Sequence, residues 1–107
     1  MILKYDIEIN ESTLEERFRQ LINLIYKLLP MREENQDWKS LLSTIIEEIA
    51  GIARLVPLQY QTEFFILLAK LEGLYSLTEE DDFFDFRRVI FECLNLMNKV
   101  KEYVCNR

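Results

Sequence analysis

The chain has 107 residues, of which half are hydrophobic and 30% are charged, a balance typical of a single globular domain and not of a disordered segment. Its formal net charge is -6, and this argues against nucleic-acid binding, which needs a basic face. It contains no His, which excludes Ser-His-Asp catalysis and His metal sites. It also contains no Gly-rich phosphate loop, which excludes nucleotide binding by a P-loop or Rossmann motif. We therefore predict no cofactor, no metal site and no enzymatic activity.

The first ten residues follow a different pattern from the rest of the chain. Leu3, Tyr5, Ile7 and Ile9 alternate with polar residues, which indicates a half-buried β-strand. No second run of this kind follows, so its backbone groups would need a partner from a second copy or from another protein's sheet edge. We therefore predict an extended arm over residues 1–10, with a β-like segment at 2–10 that could pair between chains. Tyr5, Ile7 and Ile9 are expected at a protein interface.

The remaining sequence predicts four helices in one domain spanning residues 1–107. The predicted bounds are 13–29, 38–56, 58–73 and 78–104. Pro30 is expected to end the first helix, since Pro disfavours helical geometry in the residue before it. Asp37 is the expected N-cap of the second helix. Gly51 lies inside that helix and indicates either a close helix–helix contact or a kink or ligand approach. The predicted fold is all-α, an antiparallel helical bundle of about four helices.

The fourth helix carries more apolar residues than one buried face requires. Its predicted core seam steps by three and four residues: Phe83, Phe86, Ile90, Cys93, Met97, Val100 and Val104. Phe84, Phe91 and Tyr103 lie off that seam, and a four-helix bundle has no fully central helix that would bury them all. They are expected either at an interface or under the N-terminal segment. Asp81 and Asp85, in the acidic run at the start of this helix, would steer a basic partner.

These features predict a small acidic non-enzymatic protein that binds another protein with a basic surface. The candidate roles are an inhibitor, an immunity or antitoxin-like factor, a phage anti-defence or mobile-element accessory protein, or an adaptor. The alternative is a structural or assembly homo-oligomer, and a homodimer is expected in either case. Neither a signal peptide nor a membrane span is evident, so we expect no membrane partner and a cytoplasmic location.

A second alternative comes from a partial resemblance to nucleotide pyrophosphohydrolases of the MazG type. These proteins place Glu-Glu-x-x-Glu on one helix and Glu-x-x-Asp on the next to hold Mg²⁺ at a diphosphate. Glu47 and Glu48 resemble the start of the first motif, but Gly51 stands at the position of its third acid. Glu72 begins the stretch EGLY, which has no second acid. A degenerate Mg²⁺-dependent hydrolase of this type would lack most of its metal ligands.

Overall fold

The computed structural model describes residues 11–105, and it describes side chains over 14–102. Four α-helices account for most of this range: α1 (Glu11–Glu33), α2 (Trp38–Leu55), α3 (Gln61–Gly73) and α4 (Phe83–Cys105). Each helix packs against the next, and α4 packs against α1, which closes the bundle. The predicted bundle of about four helices is confirmed. The predicted arm, with Tyr5, Ile7 and Ile9, lies outside the described residues, as does the side chain of Tyr103.

Contacts between α1 and α4 show that these two helices are antiparallel. Near the start of α1, Glu15 Oε1 lies 3.9 Å from Lys101 Nζ in the last turns of α4. Near the end of α1, the Arg32 guanidinium lies 5.3 Å from the ring centroid of Phe83, the first residue of α4. The two helices therefore run in opposite directions, as expected for the first and last helices of an up-and-down bundle.

The core is built from side chains at three- and four-residue spacing on all four helices. Its members on α4 are Phe86, Ile90, Cys93, Leu94, Met97 and Val100, so most of the predicted seam is confirmed. Leu94 joins it from outside the predicted seam, Phe83 is only partly buried, and the side chain of Val104 lies outside the described residues. Trp38 at the start of α2 meets Phe86 edge to face, with ring centroids 5.1 Å apart. Among the described residues, no polar or charged residue is buried, so apolar packing alone fills the centre.

Pro30 does not end α1, and the prediction that it would was wrong. The helix runs from Glu11 to Glu33, starting two residues before the predicted bound and ending four after it, with Pro30 inside its last full turn. A Pro within a helix removes one backbone hydrogen bond and its ring crowds the carbonyl four residues earlier, at a cost of about 3 kcal/mol that other contacts must offset. Leu28 is fully buried just before it, and Arg32 makes tertiary contacts just after it, so packing on both sides favours the helical path.

The helix ends instead at a left-handed residue, Asn35, whose φ is 56°. The Asn35 N–H donates to the Arg32 carbonyl at 3.2 Å, and the Gln36 N–H donates to the Met31 carbonyl at 2.8 Å. These two bonds form a Schellman motif, in which Asn tolerates the conformation that usually favours Gly. The connection to α2 therefore begins only after this cap, later than the predicted helix end at residue 29.

The second helix begins and ends close to its predicted bounds. The Asp37 side chain accepts hydrogen bonds from the Ser40 N–H at 3.2 Å and the Ser40 hydroxyl at 2.6 Å, so the predicted N-cap is confirmed. These bonds hold the pKa of Asp37 below its ordinary value. Gly51 is exposed, and apart from its chain neighbours and the backbone of its own helix no described atom lies within 4 Å of where its Cβ would be. The expected close helix–helix contact at Gly51 is therefore wrong.

Both later helices start after their predicted bounds, because a short 3₁₀ turn precedes each. Leu58–Tyr60 forms the turn before α3, and Glu80–Asp82 forms the turn before α4. Glu79 is the N-cap of the second of these turns, and its N–H donates to the Asp82 carboxylate at 3.2 Å. The 3₁₀ turns satisfy backbone donors that the first turn of an α-helix would leave unpaired.

Candidate functional site

Three large aromatic side chains are exposed on one face of the bundle. Phe84 is 76% exposed and Phe91 is 40% exposed, both on α4, and Tyr26 on α1 is 48% exposed. The rings of Tyr26 and Phe91 meet edge to face with centroids 6.4 Å apart. Phe84 and Phe91 are one heptad apart and so share one side of α4. We call these three residues the aromatic surface.

The position of the aromatic surface follows from helix geometry. Tyr26 directly follows buried Ile25, and Phe91 directly follows buried Ile90. Each residue turns about 100° around an α-helix, so each ring lies on the flank of its helix, beside the core and not within it. Because α1 and α4 are antiparallel neighbours, the two flanks meet at a common edge, which faces solvent.

Two arginines border the aromatic surface. Arg87 and Arg88, with Phe84 and Phe91, line an open depression of about 250 Å³. The Arg87 guanidinium lies 5.5 Å from the ring centroid of Phe91, in the range of a cation–π contact. Arg88 Nη2 lies 3.5 Å from Asp85 Oδ1, one helical turn earlier. The depression therefore combines apolar ring surface with cationic edges.

The predicted interface residues that the structure describes do not all lie together. Phe84 and Phe91 lie together in the depression, as their spacing indicated. Asp85 is exposed but paired with Arg88, while Asp81 is exposed in the turn before α4 and is not among the residues lining the depression. Sequence reasoning missed Tyr26, because only the antiparallel packing of α1 on α4 brings it to Phe91.

Arg32 is a second residue that the sequence did not single out. Its Nε and Nη2 donate to the Leu77 carbonyl at 3.1 and 2.9 Å, and Nη2 also donates to the Glu79 carbonyl at 2.7 Å. The guanidinium lies 4.8 Å from the ring centroid of Phe86 and also approaches Phe83. Arg32 thus ties the end of α1 to the segment that leads into α4.

An open cavity of about 790 Å³ lies beside Arg32 at this end of the bundle. It is lined by Arg32, Glu33, Asn35, Trp38, Thr78, Glu80 and Phe83. Three of the Arg32 N–H groups are directed to backbone carbonyls, and the two carboxylates in the lining carry the opposite charge. The cavity is therefore polar and of mixed charge. Arg32 has a structural role there, because three of its N–H groups bind backbone carbonyls.

Other exposed apolar side chains lie away from the aromatic surface. Phe65, at 65% exposed, and Ile66 are neighbours on α3, and Leu58 lies in the turn before it. No described cation is found over the Phe65 ring, in contrast to Phe91. Phe65 is therefore a suitable comparison for the aromatic surface, since it has a similar side chain and similar exposure.

The described residues offer little of the chemistry that a metal or a covalent mechanism would use. Within 11–105, no group of three or more Cys, Asp or Glu residues is placed to hold a metal ion. Glu47 is exposed, and the Glu48 carboxylate lies 3.7 Å from Arg17 Nη2. Burial raises the pKa of the Cys93 thiol to about 12, which keeps it protonated and poorly nucleophilic at neutral pH.

Comparisons with known proteins give no relative from which a function could be transferred. No protein family matches the chain, and neither a curated protein nor a solved structure shows significant similarity to it. In the part of the chain that the structure describes, no helix combines the length and apolar character needed to cross a membrane.

Proposed function

We propose that this protein acts by binding another protein through the aromatic surface. The observation that carries the proposal is the grouping of Tyr26, Phe84 and Phe91 on one edge of a bundle whose core is complete without them. Aromatic side chains bring large contact area with little loss of rotamer freedom, and they are enriched among the residues that dominate binding energy.

The area of the aromatic surface fits the centre of an interface but not a whole one. Burying a Phe or Tyr side chain removes roughly 200 Å² from water, so the exposed fractions of the three rings leave about 300 Å² to bury. That is the lower end of the roughly 300–600 Å² covered by the largest apolar patch on a typical monomer, and such patches are often functional. A standard interface buries about 800 Å² on each partner. The surrounding polar residues, Arg87 and Arg88 first among them, would supply the rest.

Affinity capture with a matched control tests the proposal. The full chain is immobilised as wild type, as Phe84→Ser/Phe91→Ser, and as Phe65→Ser, and each is exposed to extract of the source cells. We expect a protein that is retained by wild type and by Phe65→Ser but not by the double variant. Because all three substituted side chains are exposed, circular dichroism should show unchanged helicity.

Two results would contradict the proposal. One is the absence of any protein retained specifically by the wild type. The other is equal retention by the wild type and the Phe84→Ser/Phe91→Ser variant, which would place binding elsewhere on the chain.

A further inference from the structure

We infer that the partner segment is acidic, with an apolar anchor that contacts Phe84 and Phe91 and carboxylates that pair with Arg87 and Arg88. This inference rests on the proposed function and specifies its partner. From the sequence alone Asp81 and Asp85 indicate a basic partner, but Asp81 does not line the depression and Asp85 is paired with Arg88. The charged side chains that line the depression are instead Arg87 and Arg88.

The placement of Arg87 suits it for binding a carboxylate. Its guanidinium carbon lies 5.5 Å from the Phe91 ring centroid, and a guanidinium carries its N–H donors in one plane as a rigid fork. A carboxylate accepts two such donors side by side. Among the described residues, no carboxylate lies within 4.0 Å of Arg87, although acidic residues outnumber basic ones in this chain.

A second copy of the chain is a poorer occupant of this surface. An antiparallel pairing of two α4 helices that matches Phe84 with Phe91 of the other copy has its two-fold axis between positions 87 and 88. The axis would then gather Arg87 and Arg88 from both copies, which is four guanidinium groups. In each copy Asp85 pairs with Arg88, and Glu92, which also lies near Arg88, is bonded to Lys70. The Arg87 charges have no described carboxylate to offset them, so like charges would oppose this dimer.

A single-stranded nucleic acid is also a poorer occupant. Aromatic rings with adjacent arginines do resemble a stacking platform for bases. However, the stretch 79–85 that leads into Phe84 holds five acidic residues, and the whole chain carries a net charge of -6. Both would repel a polyphosphate backbone. A peptide can place a few carboxylates at the arginines without bringing a continuous run of negative charge.

Selection from a phage-displayed library of random peptides tests the inference. The library is selected on the full wild-type chain, after depletion on the Phe84→Ser/Phe91→Ser variant. We expect the enriched peptides to share an aromatic or aliphatic anchor flanked by Asp or Glu. A synthetic copy of the leading peptide should bind the Arg87→Glu/Arg88→Glu variant about tenfold or more weakly than wild type. Replacing its acids with Lys should reverse that preference.

The outcomes separate this inference from the proposed function. Enriched peptides with basic or uncharged flanks, or equal affinity of the acidic peptide for the Arg87→Glu/Arg88→Glu variant, would overturn the acidic partner and leave protein binding in place. If no peptide is enriched whose binding depends on Phe84 and Phe91, both the acidic partner and the proposed function are overturned. Binding of oligo(dT) that requires Phe91, or a dimer by light scattering that Phe84→Ser/Phe91→Ser converts to a monomer, would replace the acidic segment with nucleic acid or with a second copy.

Discussion

Replacing Arg32 should destabilise the bundle more than any other single change of a charged side chain in the described part of the chain. Arg32→Met keeps a long unbranched side chain but removes the guanidinium. The Leu77 and Glu79 carbonyls then lose their donor, and Phe86 loses the cation above its ring. The connection from α1 to the segment before α4 would rest on apolar contact alone.

The expected loss follows from the contacts of the guanidinium. A hydrogen bond to a charged group contributes about 1.5–3 kcal/mol, and the Arg32 guanidinium donates to two carbonyls. The cation–π contacts add roughly 0.5–2 kcal/mol. Water can reach Glu79, which is exposed, and would recover part of this energy. We therefore expect Arg32→Met to lower the free energy of unfolding by about 2–4 kcal/mol, a large share of the roughly 5–15 kcal/mol typical of a domain.

Urea unfolding followed by circular dichroism measures this loss. Arg17→Met is the matched control, because Arg17 is also on α1 but, among the described residues, forms only a solvent-exposed ion pair with Glu48 at 3.7 Å. That variant should change stability by less than about 0.5 kcal/mol. The stability of Arg32→Lys should lie between those of Arg32→Met and Arg17→Met, since an ammonium replaces the planar guanidinium that donates to both carbonyls. Equal stability of Arg32→Met and Arg17→Met would refute the reasoning.

Three further outcomes are expected. Gly51→Ala should stabilise the protein against urea by about 1 kcal/mol, because this helical Gly is exposed with room for a Cβ; a loss of stability would mean that the site is crowded. Asp37→Ala should lower the urea midpoint near neutral pH, where the capping carboxylate is charged. Since hydrogen bonds from Ser40 lower its pKa in the folded protein, that difference should disappear as the pH falls below its ordinary value of 3.8; a constant difference would contradict this. In a Cys105→Ser background, Cys93 should resist a thiol reagent at about pH 8 until the protein unfolds, because burial raises its pKa to about 12, and rapid labelling of the folded protein would show that it is accessible.

The helical bundle could be predicted because its signals are local. Apolar residues at three- and four-residue spacing indicated four amphipathic helices, and Asp37 marked the start of α2. The errors came where a local rule competed with packing. Pro30 indicated an end to α1, yet the contacts of Leu28 and Arg32 favour three more helical residues before the Asn35 cap. Gly51 indicated either a close helix–helix contact or a kink or ligand approach, and the close contact is wrong because Gly51 faces solvent.

The candidate site was predicted only in part, for the same reason. The sequence alone determined that Phe84 and Phe91 share a side of one helix and lie off its core seam, because the helical repeat fixes that relation. Only the tertiary structure decided that Tyr26 from α1 joins them and that Arg87 and Arg88, not Asp81, line the depression. It also decided that Arg32 reaches the segment before α4, 45 residues along the chain. These relations depend on the direction and rotation of two packed helices, which no pattern within either helix specifies.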